Sequence, residues 1–342
     1  MNPPAIDSLW YTRCPVPSAS GIAIEHDLLA AEFAPDGIAV RPITDAPQPQ
    51  QEAHFDHGLA ALFREGGNVP AMAARAAGAA TVLIGLTFVP EFQAIAVLPD
   101  APFQGLADLA DGRLLVPDHG AGRVDFFAAM SLRGYHNAFA ATQLPLPERL
   151  VRIPRPKAEM GQRALDGYDW ELAALRAGAG DAISIKGALG ADLVLSGAVR
   201  VIWQVDPAGA AAPQINNGTP RAITVSARLA QASPDLVTRY LITLLRAAEW
   251  GKRNPEEVAR IVSRETGATL NGVHHAYGPA LAAAITPSFA PDLIEHLADQ
   301  KRFLLVHHFI GQDIDLADWA DPSFLEAALR AFSPSSTKEL HS

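Results

Sequence analysis

The stretch ATVLIGLTFVPEFQAIAVLPDAPFQGLADLADGRLLVP, residues 80–117, decides the fold. Its runs ATVLIG (80–85) and QAIAVL (93–98) are apolar and of strand length. Strands buried on both faces read this way. The segment 99–113 then supplies a turn, a short helix and the start of a new strand, RLLVP (113–117). That order fits a chain crossing into a second domain. Another run, AVRVIW (198–203), precedes the Pro/Gly/Asn-rich DPAGAAAPQINNGTP (206–220), a natural return crossing. The expected architecture is therefore α/β and two-lobed. Residues 1–98 plus 206–342 form lobe one, and 99–205 an inserted lobe two. Two lobes joined by two crossings leave a cleft between them, where ligands commonly sit.

Working outward, the helices carry clear punctuation. Ser233 followed by Pro234 predicts an N-cap and first turn, with Leu236, Val237, Tyr240, Leu241, Leu244, Leu245 and Ala248 as one buried stripe. Asn254-Pro255-Glu256-Glu257 starts a second helix, with Val258, Ile261 and Val262 inward and Gly267 as its stop. Asp321-Pro322 starts a third, running through Phe324, Leu325, Leu329 and Phe332. Alternation of such helices with short apolar strands is the α/β pattern.

Composition narrows the class. The chain has 342 residues, 49% hydrophobic and 19% charged, enough for about two domains with a sizeable core. With 27 Lys and Arg against 37 Asp and Glu, the net charge of −10 argues against a nucleic-acid partner. No apolar run approaches the roughly 18 residues of a membrane span. The start, MNPPAIDSLWYTRCPVP, lacks a basic region followed by an apolar one, so no secretory signal is expected. The single cysteine, Cys14, excludes an internal disulfide. Together these features predict a soluble, cytoplasmic protein, taken as a monomer because the fold closes its own cleft. The polar tail 333–342 is expected to fray.

Three places could carry chemistry. Cys14 sits in YTRCPVP (11–17), after a short strand and before two prolines. It reads either as a small buried apolar residue or as a reactive thiol. The amphipathic segment 18–33 follows it, and Arg13 adjoins it; both favour a thiolate. In His54-Phe55-Asp56-His57 the two histidines lack further ligands at zinc spacing, so no metal is expected. They read as a capping pair, or as one histidine that orients a thiol. In Arg64-Glu65-Gly66-Gly67-Asn68-Val69-Pro70 the glycines allow close backbone approach, Asn68 fits an N-cap and Pro70 the first helical turn. The amides there, with the Arg64 fork, would suit a small anion; the plain alternative is a helix start with a surface arginine. These residues describe a cleft that binds an anion and leave the reaction unselected.

The whole chain resembles the nitrate/sulfonate/taurine class of ABC-transporter substrate-binding proteins. The resemblance is carried by EGGNVPAM (65–72), LADLADGRLLVP (106–117), SPDLVTRYLITLLRAAEWGKRNPEEVARIV (233–262) and TG (266–267). It is similar in more detail to the 2′-hydroxybiphenyl-2-sulfinate desulfinase family, built on that same type II periplasmic-binding-protein fold. The carriers there are YTRCPVP (11–17), HF (54–55), R-x-G-G (64–67), FLLVHHF (303–309) and LADWADPSFL (316–325).

That resemblance implies an active site of Cys14, His54, Arg64 and Gly67, with no metal or organic cofactor. Cys14 would act as proton donor or nucleophile, positioned by His54. Arg64 and the Gly67 backbone would bind the sulfinate, with Phe55 as an aromatic wall and Trp10 and Tyr11 as walls or core. The implied partner is a small aryl sulfinate or related anion, and the implied reaction releases sulfite and an arene. The chain departs from the family after the strand 182–185. There the family has an aromatic residue and a proline, and this chain reads Ser184-Ile185-Lys186-Gly187. Between 123 and 172 there is little local agreement. The alternative reading is a non-catalytic sulfonate-type transport protein.

Overall fold

The computed structural model describes residues 6–120, 122, 124–155, 167–206, 209 and 214–332. The tail 333–342 and part of the return crossing 206–220 lie outside the described residues.

Among the described residues ten strands alternate with helices. In chain order they are β1 (Ser8–Arg13), β2 (Ala39–Pro42), β3 (Leu62–Gly66), β4 (Thr81–Thr87), β5 (Gln93–Val97), β6 (Leu114–Asp118), β7 (Leu150–Pro154), β8 (Ile183–Lys186), β9 (Arg200–Gln204) and β10 (Arg221–Ser226). One sheet runs β2-β1-β3-β10-β4, with β1 parallel to both β2 and β3, and β10 antiparallel to β3 and β4. A second runs β8-β5-β9, all antiparallel, and β6 pairs in parallel with β7. The Leu115 amide donates to the Ala182 carbonyl at 3.0 Å, which joins the two smaller sheets beside the start of β8.

The chain leaves the first sheet between β4 and β5 and returns to it between β9 and β10. The first expected boundary, at 98, falls after β5, yet among the described strands β5 pairs with β8 and β9. An apolar run buried on both faces does not say which sheet it joins, and pairing decides it.

The long helix Pro234–Arg253 buries every residue of its expected stripe. Tyr240 on that helix stacks on Phe63 of β3, ring centroids 3.8 Å apart, so the helix braces the strand that carries Arg64. Ser233 occupies the N-cap position but makes no side-chain capping bond. Gly267, at φ 71°, ends the helix Pro255–Thr266 as expected. In the helix Ser323–Ala331 the buried edge runs through Leu325 and Ala328, and Leu329 is exposed. The segment 18–33 is two helices, Ala19–Glu25 and Leu28–Phe33, broken where Asp27 takes φ 53°. Among the described residues no helix is long and apolar enough to cross a membrane.

Candidate active site

The site grows from the carboxyl ends of two adjacent parallel strands, a usual ligand position in open α/β sheets. Thr12 of β1 is in register with Arg64 of β3, and Arg13 with Glu65. Just past β1, the Cys14 amide donates to the Glu65 carbonyl at 3.1 Å. The thiol therefore lies directly over Gly66. A Cβ there would stand 2.5 Å from Cys14 Sγ, closer than any real carbon, so only glycine admits the sulfur.

Arg64 is fully buried. Its Nε donates to the His54 carbonyl at 3.1 Å and its Nη1 to the Gly67 carbonyl at 3.0 Å. The remaining Nη2 points at Cys14 Sγ, 3.8 Å away. No carboxylate pairs with this guanidinium among the described residues. Burial pulls its pKa below the ordinary arginine value, and the nearby cysteine opposes the shift. A buried cation with no carboxylate beside it is costly unless something negative arrives, which makes the spot a candidate anion site.

His54 lies on the short helix Ala53–Asp56 and is buried. Its Nδ1 is 2.6 Å from Thr12 Oγ1, which fixes the plane of the ring one strand position from the thiol side. Phe55 meets it edge-on, centroids 4.6 Å apart. His57 plays a different part. It caps the same helix at φ 58°, and burial, helped by the Arg64 charge, lowers its pKa to about 3. It is neutral at ordinary pH. Among the described residues no group of three or more His, Cys, Asp or Glu could hold a metal ion.

Two expectations at the glycine turn are corrected. The N-cap of the helix Asn68–Ala76 is Gly67, with Asn68 as its first residue. The Asn68 side chain donates to the carbonyls of Asn216 and Pro220, tying the turn to the return crossing. Nor are the helix amides free. Asn68 N–H donates to the Asn217 carbonyl at 2.7 Å, and Val69 N–H to Asn217 Oδ1 at 2.9 Å. Gly67 itself lines the cavity described below. A Cβ on Gly67 would overlap the Asn217 side chain, which explains that glycine too. A third correction concerns Arg13, whose charge is engaged by Glu265 at 2.6 Å.

A cavity of about 540 Å³ lies between the sheets, and Cys14, His54, Phe55 and Gly67 line it. Arg64 stands behind that wall, in contact with Cys14 and Gly67. The far side is aromatic, with Phe126 and Phe127 opening the helix Phe126–Ala141. Phe55 stacks on Phe126 at 6.3 Å, so the two sheets share an aromatic slot. Phe127 is held by Arg155, whose guanidinium lies 3.9 Å from the ring centroid and is bonded twice to Glu171, at 2.8 and 3.0 Å. Tyr11 lines the cavity, whereas Trp10 packs on the small core of Ile43, Ala53 and Leu62.

Sequence reasoning missed Thr12, Gly66, Asn217, Phe126 and Phe127. Thr12 and Gly66 lie inside the motifs already singled out. Strand alternation could have put Thr12 on the side of Cys14. Asn217 was read only as part of a crossing, and nothing local links it to Gly67.

No family model matches the chain. It is 26% identical, over 94% of its own length and 94% of theirs, to the 2′-hydroxybiphenyl-2-sulfinate desulfinases of Rhodococcus erythropolis and Rhodococcus qingshengii. Among solved structures it is similar to the desulfurization enzyme DszB, with TM-score 0.72 and 23% identity over 95% of this chain and 99% of that one. A cysteine-to-serine mutant of DszB in complex with biphenyl-2-sulfinic acid matches at TM-score 0.71 and 22% identity, over 96% of this chain and all of that one. The alkanesulfonate-binding protein SsuA of Xanthomonas axonopodis pv. citri, bound to MOPS, matches at 0.64 and 17%, over 93% and 99%. The chain thus shares the two-lobed periplasmic-binding-protein fold of these structures and resembles, over nearly all its length, the 2′-hydroxybiphenyl-2-sulfinate desulfinases.

Proposed function

We propose that the chain is an aryl-sulfinate desulfinase, which cleaves the bond between a ring carbon and a sulfinate sulfur with water. The reaction balances as arene sulfinate plus water giving arene plus bisulfite. The observation that carries this reading is the guanidinium of Arg64, without a carboxylate partner among the described residues, 3.8 Å from the thiol of Cys14 at the end of an aromatic slot. The names of the curated relatives point to the same chemistry.

In this reading the ring enters between Phe55 and the Phe126–Phe127 pair, where stacking and desolvation hold it. A sulfur brought to Cys14 puts its oxygens within reach of Arg64 Nη2 and the Gly67 amide. Such charge-assisted hydrogen bonds are worth about 1.5–3 kcal/mol each. They hold the sulfinate oxygens in place while the C–S bond breaks. Cys14 then serves in one of two ways. As an acid it gives its proton to the ring carbon while the C–S electron pair moves onto that carbon, and SO2 leaves to be hydrated. As a thiolate it bonds to sulfur, the ring carbon takes a proton from a neighbouring acid such as His54, and the cysteine–SO2 adduct then hydrolyses. Mass spectrometry of a quenched reaction distinguishes the two, because only the second leaves SO2 on Cys14.

The test is sulfite release from 2′-hydroxybiphenyl-2-sulfinate and from benzenesulfinate, beside Cys14→Ser. Release that disappears in the variant is the expected result. Saturable binding of both sulfinates without sulfite would instead make the chain a binding protein, and the proposal would be wrong.

A further inference from the structure

Asn217 lines the cavity beside Gly67 but has no part in the scheme above. The residue is buried, and its side chain has a fixed orientation. Val69 N–H, in the first turn of the helix Asn68–Ala76, donates to Oδ1 at 2.9 Å. An N–H needs an acceptor, so the oxygen must face the helix and the amino group must face away from it. The backbone is held as firmly. The Asn217 carbonyl accepts from Asn68 N–H at 2.7 Å, and the Asn217 amide donates to Asn216 Oδ1 at 2.8 Å. A residue pinned at three points is preorganised for whatever its amino group meets.

That amino group meets a poor partner. Among the described residues the acceptor of Nδ2 is the thioether of Met130, 3.4 Å away. A thioether accepts weakly, and Nδ2 has two N–H groups to place. A buried amide that donates only to sulfur forgoes most of what an oxygen acceptor would give it. Nor does the helix need the amino group. Covering the Val69 amide calls for an oxygen alone, which aspartate or serine supplies about as well as asparagine. The nitrogen of Asn217 therefore calls for a second explanation.

Its position supplies one. A Cβ on Gly67 would stand 2.5 Å from Nδ2 and 2.4 Å from Oδ1, so the side-chain amide covers the Cα of Gly67. Arg64 holds the same residue from behind, with Nη1 on the Gly67 carbonyl at 3.0 Å. The two donors thus converge on Gly67, and Asn217, Gly67 and Cys14 share the cavity wall. Met130 lines that cavity too, and a ligand arriving there has only a flexible methionine to displace. We propose that Asn217 is a substrate-binding residue, whose Nδ2 leaves the Met130 sulfur on binding and donates to a sulfinate oxygen beside Gly67. Because Oδ1 stays on Val69 N–H, the amide also passes the positive end of the helix on to the anion, through two hydrogen bonds that polarise each other. The inference rests on the desulfinase reading for the identity of the oxyanion.

The test is calorimetric binding of benzenesulfonate, an oxyanion that reports on the site without turnover. Asn217→Asp keeps an oxygen on Val69 N–H, and Asn217→Ala adds no charge, so each variant controls for the other. Both should bind about tenfold or more weakly than the wild type, the loss expected of one charge-assisted contact. Wild-type affinity in either variant overturns the proposal, and so does a wild-type protein that binds no benzenesulfonate. A weakened Asn217→Asp whose urea midpoint has also fallen would assign the residue to the fold and overturn it as well. A crystal structure of Cys14→Ser with benzenesulfinate supplies the deciding distance. Nδ2 should lie within about 3.2 Å of a sulfinate oxygen. If Nδ2 still donates to the Met130 sulfur, the proposal is wrong whatever the affinities. Sulfite release from benzenesulfinate by the wild type, measured in parallel, separates the two readings. Weakened variants without any sulfite release would overturn the desulfinase reading and leave this one standing, and sulfite release with unweakened variants would do the reverse.

Discussion

Arg64 Nη2 lies 3.8 Å from Cys14 Sγ although the residues are 50 positions apart in sequence. They meet because β1 and β3 are parallel neighbours in a register that pairs Thr12 with Arg64, and because Gly66 leaves room for the sulfur. The two other donors of the fork are fixed on backbone carbonyls, so the third is aimed.

Gly66→Ala tests that geometry without removing any reactive group. The new Cβ would stand 2.5 Å from the sulfur and must displace it. Misplacing a reacting atom by about 1 Å can cost on the order of a hundredfold in rate. Steady-state kinetics should show kcat falling by up to about that factor while circular dichroism stays that of the parent. A variant with unchanged kcat would mean that the sulfur's position does not matter to the reaction.

Arg64→Ala should be worse for the fold than for substrate binding alone. It strands two buried carbonyls, those of His54 and Gly67, and leaves a cavity. We expect a loss of roughly 3 kcal/mol or more in a urea titration, since each stranded group costs about 1–3 kcal/mol. Arg64→Lys keeps the charge but cannot make the fork. It should remain folded, with kcat/KM lowered at least about tenfold. Wild-type kcat/KM in Arg64→Lys would rule out a bidentate role.

Thr12→Val removes the hydroxyl that holds His54 Nδ1 at 2.6 Å and changes little else in volume. The imidazole then loses that hydrogen bond at Nδ1. A fall in kcat of about tenfold or more with KM nearly constant is expected, and Thr12→Ser should restore most of it. Equal losses in kcat and KM terms for both variants would show that Thr12 only supports the fold.

His57 gives the acid limb of stability a defined contribution. Its folded pKa is about 3 against an ordinary 6.5, because burial disfavours the charged ring. Below 6.5 the unfolded chain takes up a proton that the folded chain refuses. The stability contributed by the neutral ring is therefore complete above 6.5 and is lost progressively as pH falls toward 3. Its share of the slope approaches about 1.4 kcal/mol per pH unit. His57→Asn tolerates the positive φ and carries no titrating ring. Urea midpoints between pH 6 and pH 4 should fall less steeply in the variant than in the parent. Identical slopes would contradict the assignment.

Much of the fold was legible because burial leaves a periodic trace. The stripe from Leu236 to Ala248 and the strands at 80–85, 93–98 and 198–203 follow from apolar spacing alone. So does the stop at Gly267. The exposed Leu329 shows the limit of that reasoning, since a hydrophobic residue at a plausible spacing need not face the core when Leu325 and Ala328 already do. The candidate site was legible in part. Motif resemblance selected Cys14, His54, Phe55, Arg64 and Gly67; four of these line one cavity, and Arg64 is buried behind Cys14 and Gly67. Asn68 as a cap and Arg13 as a neighbour of the thiol were wrong for a common reason. Each had a stronger partner far away in sequence, in the 214–220 turn and in Glu265.

By itself, then, the sequence determined the alternation of strands and helices and which motifs carry the thiol, the imidazole and the guanidinium. These are matters of local pattern and residue type. Only the tertiary structure decided which sheet β5 joins, that Asn217 occupies the helix amides, and that Arg64 lies behind the wall rather than on it. Each of these depends on contacts across scores of residues, and a hydrogen-bonding group takes whichever partner the packed chain brings within about 3 Å. Spacing along the sequence carries no record of that choice.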